Sequence, residues 1–311
     1  MKPFLNKVFA FTVFTLVVSV ILYLLISSLY LHRINNLRVR ENANILVLGD
    51  SQPQCAVNDS VYINLENFSQ NSEHFFLTYN ILQLIVKNNP QINTFILGCS
   101  FHNISAFSER YIFYKNNYKD NFPELVIPRY FPVIDFGSKM FLIENNLEGV
   151  VKSFKESVNY MIKSFTRPYK EYHDYPFIGR YYASRKRVFN DSTVKASVDW
   201  HFYKDSAATE LEDFSMLQEE YLKKIVSFCK EKNIKLILLN TPVYEGYYKQ
   251  IPEKFISGYY NFMNELEDSN KVILYDYSKF QVPDDYYGDG NHLNLKGALM
   301  LTPVIMERLK E

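Results

Sequence analysis

The chain has 311 residues, of which 47% are hydrophobic and 22% are charged, and this composition is typical of a globular protein with a substantial core. Lysine plus arginine and aspartate plus glutamate each total 34, so the net charge is zero and we expect no nucleic-acid partner. The three cysteines, Cys55, Cys99 and Cys229, lack C-x-x-C spacing, which argues against a disulfide framework and against a zinc cluster.

The first predicted element is an uncharged apolar segment at residues 8–31. As a helix with a rise of about 1.5 Å per residue it would be about 36 Å long, which exceeds the hydrocarbon core of about 30 Å. No convincing cleavage motif follows it, so we predict an uncleaved transmembrane anchor rather than a signal peptide. Basic residues flank both ends, so charge does not set the orientation of the anchor. A polar stalk completes an N-terminal unit at residues 1–44.

From Ile45 onward, buried strands alternate with amphipathic helices at both ends of the chain. Compact apolar runs predict strands, and apolar residues at intervals of three and four predict helices. Such alternation is typical of a parallel sheet covered by helices. We therefore predict an α/β fold, a three-layer α/β/α sandwich with a mostly parallel sheet, in one domain at 45–311. The predicted strands are 45–48, 94–97, 235–239 and 272–275, and the predicted helices are 72–87, 214–230 and one from about 296.

Residues 107–208 do not keep this alternation and are rich in tyrosine, phenylalanine and proline. We interpret them as an insertion that covers the active edge of the sheet. A helical apolar stripe runs through the insertion, from Met140 through Leu147 and Val151 to Phe165. We expect this stripe to pack in the core; a helix lying on a membrane surface is the alternative.

The first motif with chemical content is Gly49-Asp50-Ser51, at the end of the first predicted strand. Ligands collect at the carboxyl ends of strands in open parallel sheets, so a serine there can act as a nucleophile. Taken alone, the motif is more typical of an ordinary strand-to-helix turn in which the serine caps the helix.

The second motif is Asp289-Gly290-Asn291-His292, near the other end of the chain. A carboxylate can accept a hydrogen bond from one imidazole nitrogen, which leaves the other nitrogen to take a proton from serine. The alternative is a loop histidine that binds a neighbouring carboxylate for structure alone. Together the two motifs predict a catalytic triad of Ser51, His292 and Asp289.

These motifs resemble the nucleophile block and the acid-base block of the SGNH, or GDSL, hydrolase superfamily, and they bracket nearly the whole chain after the anchor. An anchor followed by Gly49-Asp50-Ser51, Asn67-Phe68-Ser69, Thr241-Pro242-Val243-Tyr244 and the Asp289–His292 loop is similar to membrane-anchored SGNH-like proteins of bacterial envelopes. Relatives of that kind include the D-alanine transfer protein of teichoic acids and the acetyltransferases of alginate. The resemblance implies that the domain lies outside the cytoplasm.

The resemblance is incomplete where the superfamily stabilises the oxyanion. Its usual donors are the backbone N–H of the nucleophile, a glycine after the second strand and an asparagine in a Gly-x-Asn-Asp block. Here a serine stands at the usual position of that asparagine, and the second-strand region lacks the glycine. The candidate replacements, as oxyanion or substrate-binding residues, are Asn67, Ser69, Ser100 and Asn103.

We therefore expect an SGNH-like esterase or O-acyltransferase that acts on acylated envelope glycans or related esters and needs no metal or organic cofactor. The alternative is a catalytically silent, membrane-anchored scaffold that binds a membrane-bound acyltransferase or a polymer during envelope modification. A lipase that acts on membrane lipids would use the same residues. The expected location is the bacterial cytoplasmic membrane, with one transmembrane helix and an extracytoplasmic domain.

Overall fold

A five-stranded sheet forms the centre of the protein. The computed structural model describes residues 2–33, 37–113, 131, 133–166, 181–183, 190–205, 207–270 and 272–311. The strands are β1 (Ile45–Leu48), β2 (Leu65–Asn67), β3 (Thr94–Gly98), β4 (Lys235–Asn240) and β5 (Ile273–Asp276). Their order is β2-β1-β3-β4-β5, and every neighbouring pair is parallel.

Helices precede, connect and cover these strands. They are α1 (Lys2–Arg33), α2 (Ser51–Ala56), α3 (Phe75–Asn88), α4 (Phe136–Thr166), α5 (Asp191–Phe202), α6 (Met216–Glu231), α7 (Glu245–Tyr248), α8 (Glu253–Asn270) and α9 (Leu295–Arg308).

The core has two halves, one on each face of the sheet, because successive residues of a strand point to opposite faces. In β1, Leu46 and Leu48 pack on the side of α3, α6 and α8. Ile45 and Val47 pack on the other side, with α2 and α9. The predicted three-layer α/β/α fold with a parallel sheet is therefore confirmed.

The strand order reverses direction at β1. The chain first adds β2 on one side of β1, and then crosses over to add β3, β4 and β5 on the other side. The carboxyl ends of β1 and β3 thus border the crevice at which ligands bind in open α/β sheets. The segments that follow these two strands carry Ser51 and the Phe101–Ile104 turn.

Glycines at the ends of β1 and β3 let α2 lie close to the sheet. Gly49 has a φ of 138°, a conformation that residues with a side chain rarely adopt. At Gly98, an added Cβ atom would lie 2.3 Å from the Pro53 ring of α2. The close approach of α2 to the sheet places Ser51 at the end of β1.

The boundaries of the predicted elements differ from the observed ones by a few residues. The predicted helix at 72–87 begins at Phe75, because Ser72 has a left-handed φ of 64° and His74 caps the helix. Nδ1 of His74 accepts the backbone N–H of Phe76 at 3.0 Å. Strand β2 and helix α8 were not among the predicted elements.

The region interpreted as an insertion contains α4 and α5, and its residues 114–130, 132, 167–180, 184–189 and 206 lie outside the described part. Leu147 and Val151 are 58% and 64% exposed, so the expectation that they pack in the core is wrong. Helix α4 is interrupted at Asn146, whose φ and ψ are −152° and 55°. The side chain of Phe165 is not described.

Helix α1 is long and apolar enough to cross a membrane, with a span at Lys2–Leu29 and a mean hydropathy of 2.7. The C-terminal part of α1 contacts the folded domain. The rings of Tyr23 and Phe131 are 6.5 Å apart, and Ser27 is buried. The predicted anchor at 8–31 thus coincides with a helix of suitable length and composition.

Candidate active site

Ser51, His292 and Asp289 lie together at the carboxyl edge of the sheet. Oγ of Ser51 is 2.7 Å from Nε2 of His292, and Nδ1 of the same ring is 2.8 Å from Oδ1 of Asp289. With a neutral imidazole protonated at Nδ1, the serine hydroxyl donates to Nε2 and Nδ1–H donates to the carboxylate. The side chains of His292 and Asp289 are 19% and 22% exposed, so solvent reaches the site.

The loop that carries Asp289 and His292 is held by its own hydrogen bonds. Oδ1 of Asp289 accepts the backbone N–H groups of Asn291 and His292, at 3.2 Å and 3.0 Å. The N–H of Gly288 donates to the carbonyl of His292 at 2.7 Å. Asn294 caps α9 and donates its amide to the carbonyls of Asp285 and Tyr287. The imidazole is therefore positioned before any substrate binds.

Asp50, the residue before Ser51, belongs to a second buried network. Oδ1 accepts the backbone N–H of Gln52, and Oδ2 lies 2.6 Å from Nε2 of His102 and 2.8 Å from Nδ2 of Asn103. Burial by itself raises the pKa of Asp50. The charge of His102 and the hydrogen bonds from His102, Gln52 and Asn103 outweigh burial and lower that pKa to about 2. The carboxylate is thus ionised, and it fixes the turn in front of Ser51.

Two of the four expected oxyanion donors already donate hydrogen bonds to other groups of the protein. The amide nitrogen of Asn67 donates to the carbonyls of Pro53 and Val57, at 2.9 Å and 2.7 Å. The amide nitrogen of Asn103 donates to Asp50. Asn67 therefore anchors α2 to the sheet, and Asn103 holds the carboxylate beside the serine.

The other two expected donors are buried serines. The backbone N–H of Ser69 donates to Oδ1 of Asn67 at 3.0 Å, and that of Ser100 donates to Oδ1 of Asn103 at 2.7 Å. Oγ of Ser69 is fully buried and has no hydrogen-bond partner among the described residues. The geometry therefore does not single out either serine as a donor to a bound substrate.

Helix α5 covers the loop that carries His292. Oγ of Ser197 donates to Oδ1 of Asn291 at 3.3 Å. A Cβ atom added to Gly290 would lie only 3.2 Å from Val194, so the loop backbone packs directly against the helix. Part of the region interpreted as an insertion thus forms a wall of the site.

One turn further along α5, His201 joins the network of Asp50. Its ring stacks on His102, with centroids 4.9 Å apart and an interplanar angle of 25°. Nδ1 of His201 lies 2.6 Å from the hydroxyl of Tyr247. Neither His102 nor His201 is among the site residues predicted from the sequence. The position of His102 shortly after β3 is a signal that sequence offers, whereas nothing in the pattern around His201 indicates its partners.

The surroundings keep His201 and Tyr247 neutral. Burial, reinforced by the charges of His102 and His292, lowers the pKa of His201 well below its usual value. Burial, together with the charges of Asp289 and Asp50, raises the pKa of Tyr247 well above its usual value. At neutral pH the pair is an uncharged imidazole beside an uncharged phenol.

A cavity of about 370 Å³ lies beside the same loop, at the carboxyl ends of β4 and β5. Tyr244, Tyr248 and Tyr287 contribute to its lining. The backbone N–H of Tyr244 donates to the carbonyl of Gly290 at 3.0 Å, which joins the wall of the cavity to the Asp289–His292 loop. Within the described ranges, no group of three or more His, Cys, Asp or Glu side chains is placed to hold a metal ion.

Comparisons with known proteins return low similarity. A family model matches residues 180–311, which is less than half of the chain. No curated protein matches it. Among solved structures, a GDSL-like lipase from Bacteroides thetaiotaomicron is 9% identical, with 88% of this chain and 90% of that chain covered and a TM-score of 0.40.

Two further structures are similar at the same level. A proposed acylhydrolase from Bacteroides fragilis is 11% identical, with 86% of each chain covered and a TM-score of 0.39. A protein described as a platelet activating factor from Streptococcus pneumoniae is 12% identical, with 91% of each chain covered and a TM-score of 0.42. The function proposed below therefore rests on the geometry of this site.

Proposed function

We propose that this chain is a membrane-anchored, SGNH-like serine esterase or O-acyltransferase that acts on acylated envelope glycans or related esters. The observation that carries the proposal is the hydrogen-bonded chain from Ser51 through His292 to Asp289, at the switch point of the sheet. This arrangement is the one that activates a serine hydroxyl at neutral pH. A serine that only caps a helix has no need of a histidine 241 residues away in the sequence.

The reaction would proceed through an acyl-enzyme. Oγ of Ser51 forms a bond to the carbonyl carbon of the ester while its proton passes to Nε2 of His292. Asp289 accepts the hydrogen bond from Nδ1 and stabilises the imidazolium. The carbon–oxygen bond to the alcohol then breaks, and His292 protonates the leaving oxygen. Water or a sugar hydroxyl next attacks the acyl carbon and gives its proton to His292; the bond from that carbon to Oγ of Ser51 then breaks, and His292 returns the proton to Oγ.

The choice between hydrolysis and transfer depends on which hydroxyl reaches the acyl-enzyme. The cavity beside the loop would accommodate an acceptor, because aromatic side chains such as Tyr244 and Tyr248 offer flat apolar faces to a sugar ring. Helix α1 supports a location at a membrane. The extracytoplasmic orientation rests on the resemblance to anchored envelope proteins.

The decisive experiment uses the full chain in detergent and a fluorophosphonate probe, which reacts covalently only with an activated serine. We expect labelling of the wild-type protein and none of Ser51→Ala. Lys195→Ala, on the exposed side of α5, is the matched control and should label like wild type. A second assay incubates the protein with an acetylated polysaccharide and scores free acetate against acetylated acceptor, and acylglycerols as substrates test the lipase alternative. Absence of labelling in a folded wild-type protein would contradict the proposal.

The second candidate is a catalytically silent scaffold that binds a membrane-bound acyltransferase or a polymer. The observation that favours it is the engagement of Asn67 and Asn103 with internal acceptors, since neither amide is then available to an oxyanion. Each missing donor costs about 3–4 kcal/mol of transition-state stabilisation. A wild-type chain without turnover or labelling would support this reading, with Ser51 as a turn residue.

A further inference from the structure

The starting point is the position of His201, between the residue that precedes the nucleophile and the loop that carries the base. Ser197 and His201 are four residues apart on α5 and therefore share one face of the helix. Ser197 contacts Asn291, next to His292. The ring of His201 stacks on His102, and Nε2 of His102 lies 2.6 Å from the carboxylate of Asp50. Helix α5 thus contacts the loop of His292 through Ser197 and the network of Asp50 through His201.

The hydrogen bond to Tyr247 decides which nitrogen of His201 carries the proton. If Nδ1 carried it and donated to Tyr247, the buried tyrosine hydroxyl would have no acceptor among the described residues, and Nε2 would be an unused acceptor. If Tyr247 donates to Nδ1, the tyrosine is satisfied, and the single proton of the neutral ring lies on Nε2. The second arrangement leaves no buried O–H group without an acceptor, because the unpaired donor is then at Nε2 of the ring, and it is therefore favoured.

The Nε2–H group of His201 is a free donor. It has no hydrogen-bond partner in the part of the chain that the structure describes, and the nitrogen atom is not fully buried. The side chain as a whole is only 9% exposed. A buried donor that joins the network of Asp50, the residue before Ser51, is suited to bind an acceptor atom on the substrate.

We infer that Nε2–H of His201 donates a hydrogen bond to the carbonyl oxygen of the ester bound at Ser51, and so stabilises the oxyanion that forms on attack. The inference rests on the proposed function and extends it, because it names a donor in a site where Asn67 and Asn103 are engaged elsewhere. A carbonyl oxygen only accepts hydrogen bonds, so it matches a group that can only donate. Tyr247 acts as a positioning residue that keeps the proton on Nε2.

The neutrality of His201 matters for this role. A charged ring beside His292 would oppose formation of the His292 imidazolium during the reaction. The lowered pKa of His201 keeps the ring uncharged, so it stabilises the oxyanion as a fixed dipole. Removal of one oxyanion donor typically lowers kcat by about 10²–10³-fold, mainly without a change in KM.

The test compares steady-state hydrolysis of p-nitrophenyl acetate by the full chain in detergent, for wild type and four variants. His201→Phe keeps a ring but removes the donor, and kcat should fall by about 10²–10³-fold with KM little changed. His201→Gln, whose side chain carries an N–H donor, should recover part of that loss. Tyr247→Phe should lower kcat by a smaller factor. The imidazole of His201 stays in place, but its proton can then lie on either nitrogen. Lys195→Ala, on the same helix, should behave like wild type.

A parallel Ser51→Ala reaction separates the two claims. If wild-type turnover does not depend on Ser51, the proposed function fails and the inference fails with it. If turnover depends on Ser51 but His201→Phe retains kcat, only the inference is overturned. Equal losses in His201→Phe and His201→Gln, with a parallel rise in KM, would show a structural role and would also overturn it. Circular dichroism verifies the fold of each variant, and if His201→Phe does not fold, Tyr247→Phe carries the test through its kcat.

Discussion

The carboxylate of Asp50 and the ring of His102 lie 2.6 Å apart, with both side chains buried, although Asp50 is the immediate neighbour of Ser51 in the chain. The site therefore contains two Asp–His pairs with different tasks. His292 contacts the hydroxyl of Ser51 and Asp289 contacts His292, while Asp50, which binds His102, accepts the backbone N–H of Gln52 in the turn around the serine. The first pair is accessible to solvent, and the second is sealed in the core.

The Asp50 network predicts a stability that depends on pH in acid. The pKa of Asp50 in the folded protein is about 2, below its ordinary value of 3.8. Its stabilisation is therefore complete above about pH 4 and is lost as the pH falls toward 2, and its size is about 2 kcal/mol. We expect Asp50→Asn to unfold at a lower temperature at pH 7 and to lose less stability than wild type between pH 4 and pH 2.5. Thermal melting followed by circular dichroism measures both.

The control for this prediction is Asp285→Asn, which removes an exposed carboxylate paired with Lys296. Exposed ion pairs contribute about 0–1 kcal/mol. The stability of Asp285→Asn should therefore fall between pH 4 and pH 2.5 as much as that of wild type. If Asp50→Asn and wild type lose the same stability between pH 4 and pH 2.5, the carboxylate of Asp50 does not provide the stabilisation assigned to it.

The triad predicts strongly non-additive effects on turnover, because its members act as one unit. Ser51→Ala should abolish acyl-enzyme formation, and His292→Ala should cost a similar factor. Asp289→Asn should lower the rate by a factor on the order of 10⁴, since an amide can hold the ring in the wrong tautomer. The Ser51→Ala, His292→Ala double variant should be little slower than either single one. Retention of most turnover by folded His292→Ala or Asp289→Asn would make the loop structural.

The close approach of α2 to the sheet predicts a specific steric effect. Gly98→Ala would place a methyl group 2.3 Å and 2.7 Å from two carbons of the Pro53 ring. We expect a loss of about 1–3 kcal/mol of stability and a displaced Ser51, with lower probe labelling. Adding Pro53→Ala removes both colliding carbons and should restore part of each loss. The steric explanation fails if the two losses of stability simply add. The double variant would then be less stable than Gly98→Ala by as much as Pro53→Ala alone destabilises the wild type.

The anchor predicts how the protein fractionates. A spanning helix at Lys2–Leu29 should keep the chain in the membrane fraction after alkaline carbonate washing, which releases peripheral proteins. Protease added to intact spheroplasts should digest the domain if it lies outside the cytoplasm. Recovery of a shortened soluble chain that begins near Arg33 would identify the segment as a cleaved signal peptide instead.

Much of the fold is readable from local sequence. The apolar run Ile45–Leu48 ends at a glycine, and its four residues are buried on both faces of the sheet. Helix α6 begins one residue after its Ser215 cap, close to the predicted start at 214. The prediction failed at positions where the structure departs from the local sequence pattern. Ser72 adopts a left-handed φ, so the helix begins later than the pattern predicts, and Leu147 and Val151 are exposed on α4.

The sequence by itself determined the alternation of strands and helices, the apolar anchor and the motifs that contain Ser51, Asp289 and His292, because each depends on residues close together in the chain. Only the tertiary structure decided the roles of the other polar residues. Asn67 binds carbonyls of α2, and His201 meets His102 across 99 positions of sequence. Such contacts form when separate elements pack on one sheet edge, and a side chain that binds a distant partner has no periodicity or spacing that records it.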